Sequence, residues 1–369
     1  MRVLVTGADG FIARNLVTCL RECDDFEVST LVRNDSESSL RDKVADADAV
    51  VHLAGENRPS SVEKFTEGNS DLTFTLCSVI EELDRSILLI LSSSIQAALE
   101  NPYGQSKRAS ETYVEALAQK SDNPVVIYRL PGVFGKWCKP NYNSVVATFC
   151  NNIANELPIQ INDSLALLEL VYVDDVVSSF IEVLRRETLS GVLRISIEPK
   201  YSITISALAQ QIIEFRNSRT TLISEPVGTG FARALYATYV SYLPQANFSY
   251  SVPVHGDERG IFVEMLKTKD SGQFSYFTAH PGVTRGGHYH HSKTEKFLVM
   301  KGNAHFGFRN ILTDENFSIK TSGQDPRIVE TIPGWTHDIT NIGDDEMIVM
   351  LWANEIFDHD YPDTIPSKV

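Results

Sequence analysis

Cysteine is scarce in this chain, and none lies beyond residue 150. The five that occur, Cys19, Cys23, Cys77, Cys138 and Cys150, are odd in number and scattered. They form no disulfide framework and read as reduced thiols filling small apolar spaces. Long apolar runs are also missing. No stretch approaches the ~18 residues of a membrane span, and the start MRVLVTGADG reads as a strand and turn, not a signal peptide. A cytoplasmic location without a membrane partner is expected. Positive charge is short: 33 Lys and Arg stand against 48 Asp and Glu, a formal net charge of -15. Duplex binding needs a basic face that releases counterions, so nucleic acid is not an expected partner. Small anions stay open, because a few local cations or backbone N–H groups suffice for them.

What is present changes texture near residue 245. A chain of 369 residues is long enough for about two domains. In the first part, short apolar strands alternate with helical stretches. Val3–Val5, Val28–Val32, Ala49–Leu53, Ile87–Leu91 and Val125–Leu130 are the expected strands. Helices are expected through Leu20, over Leu72–Leu83 and Tyr103–Gln119, and at 173–187, 204–217 and 231–242. This alternation predicts an α/β Rossmann-type, doubly wound parallel sheet. After Leu243-Pro244 the segments IFVEML, FSYFTA, EKFLVM, NAHFGF and MIVMLW are short, aromatic and β-branched, with Gly, Pro, Asn and Asp between them. They predict an all-β sandwich or small barrel. The expected domains are 1–243 and 244–369.

Thr6-Gly7-Ala8-Asp9-Gly10-Phe11-Ile12-Ala13 directly follows the first strand and opens a helix. Gly7 permits a tight turn, Gly10 lets backbone approach a pyrophosphate, and Ala13 allows close helix–strand packing. The helix N-terminus offers free N–H groups to the anion. Thr6, Gly7, Asp9, Gly10, Phe11 and Ile12 are therefore candidate dinucleotide contacts. At the end of the second strand, where a carboxylate would take the ribose hydroxyl of NAD, the sequence has Arg33. Arg33, with Arg14 as a second candidate, suits a 2′-phosphate and points to NADPH.

Tyr103 and Lys107 are four residues apart on one helix face. The Lys107 cation would favour the phenolate, and the phenol could pass a proton to a carbonyl under reduction. The preceding strand ends in Ser92-Ser93-Ser94. Ser94 is the first choice for a hydroxyl on the reacting oxygen, and Ser93 the second. In the second half, His288 and His290 alternate onto one strand face, Glu295 returns from the next strand, and His337 comes from a distant one. Three imidazoles and a carboxylate suit a divalent Zn, Fe, Mn or Ni ion, with zinc the first choice.

Together, Thr6–Ala13, His52-Leu53-Ala54-Gly55, Ser92–Ser94, Tyr103 with Lys107, Arg129–Gly135 and Tyr172–Asp175 make residues 1–243 resemble the extended short-chain dehydrogenase/reductase family, whose members act on nucleotide-diphosphate sugars. The resemblance implies that Leu53, Ala54, Gly55 and Asn69 line the cofactor and that Pro131 and Val133 lie near the nicotinamide. It implies that the segment around Lys136, Lys139, Asn143 and Ser144 grips a UDP-sugar. Dehydratases of the family carry an Asp-Glu pair where this chain has Ile95-Gln96, so a reductase or 4-epimerase is implied.

The blocks from Gly282 to Gly302 and from Pro333 to Asn341 resemble the cupin superfamily, although the second reads Pro-Gly in place of Pro-x-Gly. Among cupins that epimerise 4-keto sugars, candidate bases here would be His291, Lys296 and Tyr289. The fusion of both parts resembles the capsular-polysaccharide enzymes of the UDP-N-acetyl-L-fucosamine route. It implies C3 epimerisation of a UDP-4-keto-6-deoxy-N-acetylhexosamine, then C4 reduction with NADPH to UDP-2-acetamido-2,6-dideoxy-L-talose, in a homodimer. Three alternatives remain: a cupin that only binds or dimerises, a cofactor-recycling 4-epimerase, and a cupin dioxygenase.

Overall fold

The computed structural model describes residues 1–57, 61 and 63–369. Two compact units emerge. One comprises Met1–Ile212 with Arg233–Pro244, the other Ile213–Ala232 with Gln245–Val369. The second unit thus takes in a stretch upstream of the boundary expected at 243.

In the first unit, β1 (Arg2–Thr6), β2 (Glu27–Leu31), β3 (Ala49–His52), β4 (Leu88–Ser94) and β5 (Val125–Leu130) join an edge strand, Val192–Ile195. The order is β2-β1-β3-β4-β5-edge, and every pairing is parallel. β1, β3, β4 and β5, unlike β2 (EVSTL), carry buried apolar runs because helices cover both sheet faces. Leu4, Val50, Leu89 and Ile127 pack with Leu76, Ile80, Val114 and Leu117 of two helices. The chain leaves β1 toward β2 and returns across β1 to β3. That reversal opens a crevice at the carboxyl ends of β1 and β3, where such sheets bind ligands. Register pairs Thr6 with His52, so the two strand ends lie side by side. The helix expected over 103–119 runs Pro102–Lys120. Pro102 starts it, and the Asn101 side chain accepts from Gly104 N–H at 2.7 Å.

The second unit is built from antiparallel sheets of seven and five strands. One short parallel pair, Ile223–Ser224 with Lys267–Thr268, ties the upstream stretch to it. All five expected apolar segments are strands: Gly260–Thr268, Gly272–Ala279, Glu295–Lys301, Asn303–Asn310 and Met347–Ala353. Their inward residues, including Phe277, Phe297, Val299, Phe306 and Val349, form one core with Ile339. The fold class is the one the hydrophobic pattern implies: a parallel α/β unit followed by an all-β unit. Among the described residues, no helix is long and apolar enough to cross a membrane.

Candidate functional site

At the end of β1 the chain turns at Gly7 (φ +66°), where a Cβ would sit 2.6 Å from the Ala54 Cα. Only glycine fits both the backbone angle and that approach. Gly10 then caps the helix Phe11–Arg21 without a side chain, leaving the first-turn N–H groups to an anion. Asp9 and Arg14 are exposed beside this turn, and Phe11 and Ile12 are half-buried. Thr6 is buried. Its hydroxyl bonds His52 Nδ1 at 2.7 Å and accepts from Ala54 N–H at 3.2 Å, so it ties the turn to the loop after β3. The other His52 nitrogen meets Thr73 Oγ1 at 3.0 Å. Burial, with the Lys107 charge, pushes the His52 imidazole down to about 3, so it is a neutral spacer.

Leu53, Ala54 and Gly55 leave the end of β3 in line with the crevice. The Asn69 amide is consumed by Glu56 N–H (2.9 Å), Glu56 O (3.1 Å) and Ser106 Oγ (3.0 Å). It shapes this loop and fastens it to the Tyr103 helix. Arg33 is exposed at the end of β2 and ion-pairs with Glu56, which also accepts from the Tyr142 hydroxyl at 3.3 Å.

The candidate hydride-transfer residues assemble at the carboxyl end of β4. Ser94 hydrogen-bonds the Tyr103 phenol. Ser93 turns instead to the buried Glu111 carboxylate, which holds Arg129 through Nε at 2.9 Å and Nη2 at 2.6 Å. Successive strand residues face opposite ways, and that separates the two serines. Lys107 Nζ donates to Ser92 O at 3.1 Å, and burial pulls its ammonium down to about 8 despite Glu111. Burial pushes the Tyr103 phenol up, and the Ser94 hydrogen bond opposes this only in part. The lowering expected from Lys107 does not act on the phenol, and desolvation dominates. The phenol stays protonated at neutral pH, the form a carbonyl reduction consumes.

Pro131 and Val133 follow β5. Further on, Lys136 pairs with Asp174 at 2.7 Å, Lys139 lies over the Tyr142 ring, and Asn143 is exposed. The Ser144 hydroxyl caps the helix Val145–Ala154 by accepting from Ala147 N–H at 3.2 Å.

In the β unit, His288, His290, Glu295 and His337 bring one ligand atom each to within 4.8 Å of one another. Register sets His288 beside His337 on adjacent strands. His290 Nδ1 lies 2.6 Å from Asp363 O, and its Nε2 lies 3.1 Å from Glu295 Oε2. A neutral His290 that gives its proton to the carbonyl would aim a lone pair at the carboxylate. Such an arrangement suits a cation shared by the two. His337 Nε2 repeats the pattern: it is buried 3.3 Å from the same oxygen, yet makes no aligned hydrogen bond. Burial opposes the Glu295 charge, but the close imidazoles of His290 and His337, at 3.1 and 3.3 Å, and the Lys293 charge hold it well below the usual carboxylate range. Burial pulls His288 down to about 4, keeping it neutral as a metal ligand must be. The donor set fits a divalent ion.

The shortened Pro333-Gly334 turn closes properly. Gly334, at φ +78°, donates its N–H to His290 O at 2.9 Å. Asp363, far along the chain, accepts from the N–H groups of His291 (2.9 Å), Ser292 (2.8 Å) and Lys293 (2.9 Å) and so fixes the ligand loop. No short motif announces it.

The three candidate bases do not join this cluster. Lys296 follows Glu295 on its strand and faces the other way, paired with Glu330 at 2.9 Å. Tyr289 lies between the two inward histidines, and its ring packs against exposed His291. None of the three lines the cavity beside the cluster. Lys293 does, buried and 3.6 Å from Glu295 Oε1.

Comparison with known proteins agrees with both units. Residues 3–195 match the NAD dependent epimerase/dehydratase family, and residues 255–365 match the polysaccharide biosynthesis C-terminal domain. A Pseudomonas aeruginosa protein, UDP-2-acetamido-2,6-beta-L-arabino-hexul-4-ose reductase, is 56% identical over 100% of this chain and 99% of its own. The capsular polysaccharide assembling protein CapF of Staphylococcus aureus superposes with TM-score 0.92 at 39% identity, covering 100% of both chains. UDP-glucuronic acid 4-epimerase of Bacillus cereus, with bound NAD, covers 66% of this chain and 98% of its own at TM-score 0.56 and 18% identity, a likeness of fold. With the glycine turn, the Tyr103–Lys107 helix and this match over more than half its length, the chain belongs to the NAD dependent epimerase/dehydratase family.

Proposed function

We propose that the α/β unit is an NADPH-dependent 4-ketoreductase of a UDP-linked 4-keto-6-deoxy-N-acetylhexosamine. The β unit is a metal-binding cupin that epimerises C3 of the same sugar beforehand. The product is UDP-2-acetamido-2,6-dideoxy-L-talose, on a route to UDP-N-acetyl-L-fucosamine for capsule. The carrying observation is the half-buried, protonated Tyr103 phenol beside Ser94, on the helix that carries Lys107. The P. aeruginosa reductase, alike over its full length, supports the substrate class.

NADPH, when bound, supplies the hydride that reaches C4. Tyr103 gives its hydroxyl proton to the C4 oxygen as that oxygen becomes an alcohol. The Ser94 hydroxyl holds the same oxygen, and the Lys107 ammonium stabilises the phenolate left behind. Arg33, with Arg14, takes the 2′-phosphate that distinguishes NADPH. Lys136 and Lys139, with Asn143 near Ser144, serve the UDP diphosphate. In the β unit, His288, His290, Glu295 and His337 would hold a divalent ion, which would supply positive charge near the ketone and so acidify the adjacent C3–H. The order of steps follows from chemistry. Reduction removes the ketone that makes C3–H acidic, so epimerisation comes first.

The test is product analysis in deuterium oxide with the UDP-4-keto-6-deoxy sugar. Without NADPH, deuterium should enter C3; with it, one NADPH should be consumed per product. Zero net NADPH oxidation would indicate a cofactor-recycling 4-epimerase, and no deuterium would leave the β unit without chemistry.

A further inference from the structure

The cavity of the β unit has two lobes, of about 280 and 160 Å³, which share Phe262, His288, Glu295 and Leu351 in their walls. The metal-ligand cluster therefore sits at their waist. The larger lobe carries Lys293, but its ammonium is engaged with Glu295 at 3.6 Å, and Glu264 and Glu355 line the same space. The smaller lobe carries Arg285. Its guanidinium lies 5.3 Å over the Phe277 ring, it has no ion pair among the described residues, and its buried Nε has no acceptor. A guanidinium keeps its charge in proteins, and a buried donor without a partner is costly.

The backbone has been shaped to place Arg285 there. Arg285 and His288 are three residues apart, so a regular strand would send them to opposite faces. Between them, Gly286 (φ +93°) and Gly287 (φ +78°) form an irregularity where the register with the neighbouring strand slips. The slip turns both side chains into one cavity. At Gly286 a Cβ would also meet His337 O at 3.0 Å. The nearby carboxylate of Asp338 accepts from Gly307 N–H, and neither it nor Asp257, which is held by Arg259, makes an ion pair with the guanidinium among the described residues.

The geometry points to Arg285 as an anion subsite that holds a phosphoryl group of the nucleotide diphosphate while the sugar ketone lies at the metal cluster. This deepens the reading of the β unit as an epimerase and rests on it. The smaller lobe then takes the diphosphate end of the substrate, and the Lys293 lobe takes the far side of the sugar.

The experiment uses the full, metal-loaded chain without NADPH and follows deuterium entry into the UDP-4-keto sugar. R285Q should raise KM about tenfold to a hundredfold and weaken UDP as a competitive inhibitor to a similar degree. R285K should fall between R285Q and wild type, because it keeps the charge without the planar fork. Metal content unchanged in both variants shows that the unit is folded. Calorimetric titration with UDP gives an activity-independent reading: R285Q should bind one UDP fewer per chain than wild type. Unchanged KM, unchanged UDP inhibition or an unchanged number of UDP sites would overturn the assignment. If wild type exchanges no deuterium, the epimerase reading fails, and calorimetry alone still decides whether Arg285 binds the anion.

Discussion

In the α/β unit, the protein itself satisfies the groups around Tyr103: Ser94 bonds the phenol, Ser92 O accepts a hydrogen bond from the Lys107 ammonium, and Asn69 and Thr73 fasten the loops. In the β unit, the corresponding groups are left in conflict. Two imidazole nitrogens crowd one carboxylate oxygen at 3.1 and 3.3 Å, and a guanidinium nitrogen nearby has no acceptor. The first site is preformed by hydrogen bonds at the open ends of parallel strands. The second is a buried cluster of charge inside an antiparallel core, where an unbalanced group costs far more. The contrast teaches that the groups of the first site already have protein partners, whereas the second gathers a donor set that suits a cation.

The largest expected effect is at the phenol. Tyr103→Phe should lower NADPH oxidation about a thousandfold while leaving NADPH binding, metal content and β-unit deuterium exchange unchanged. Turnover near that of wild type would remove the distinction between the sites at its strongest point. Next is the metal. His290→Ala, or chelation of the wild type, should take away ~3 kcal/mol or more of linked stability. Calorimetric scans should show this as a fall of roughly 6–12 °C in the β-unit transition, with the α/β transition unmoved. A chelated protein that melts like the untreated one would mean the cluster holds no ion.

A third expectation is the pH profile of reduction. Lys107 is needed as a cation and titrates at about 8, so it is charged below that pH and loses its proton above it. The reductive kcat/KM should fall about tenfold per pH unit on the alkaline side. Lys107→Met should be slow and flat there, and a wild-type rate that rises with pH would refute the role. Arg33→Ala should raise the NADPH KM about tenfold and leave the NADH KM alone, as steady-state assays with both cofactors would report. The smallest effect is expected at Lys296. Its exposed pair with Glu330 contributes ~0.5 kcal/mol at most, and Lys296→Ala should change deuterium exchange less than about twofold. A hundredfold loss would restore it as a base.

Several features could be read from the sequence because each occupies one short segment. The glycine turn, the Tyr103–Lys107 spacing and the His288–His290 alternation need only local periodicity, and the structure brings each set together as spaced. The sequence ranks Ser94 ahead of Ser93, but the reason that Ser93 is occupied lies elsewhere in the fold, in Glu111 and Arg129. Asp363, which fixes the ligand loop, lies 73 residues from His290. Arg285 was hidden for another reason: simple alternation assigns it to the wrong face, and only the register slip at Gly286 and Gly287 corrects that. Tyr289, His291 and Lys296 stand beside metal ligands in the chain but not around the cavity, since neighbours along a strand point apart.

Sequence alone determined the two folds, the crevice at the end of β1 and the types of ligand atom in the β unit, because hydrophobic period and glycine placement act over a few residues. Tertiary structure alone decided the charge states and the company each group keeps. Burial, which no local pattern encodes, keeps Tyr103 protonated, draws Lys107 down and leaves Arg285 seeking an anion.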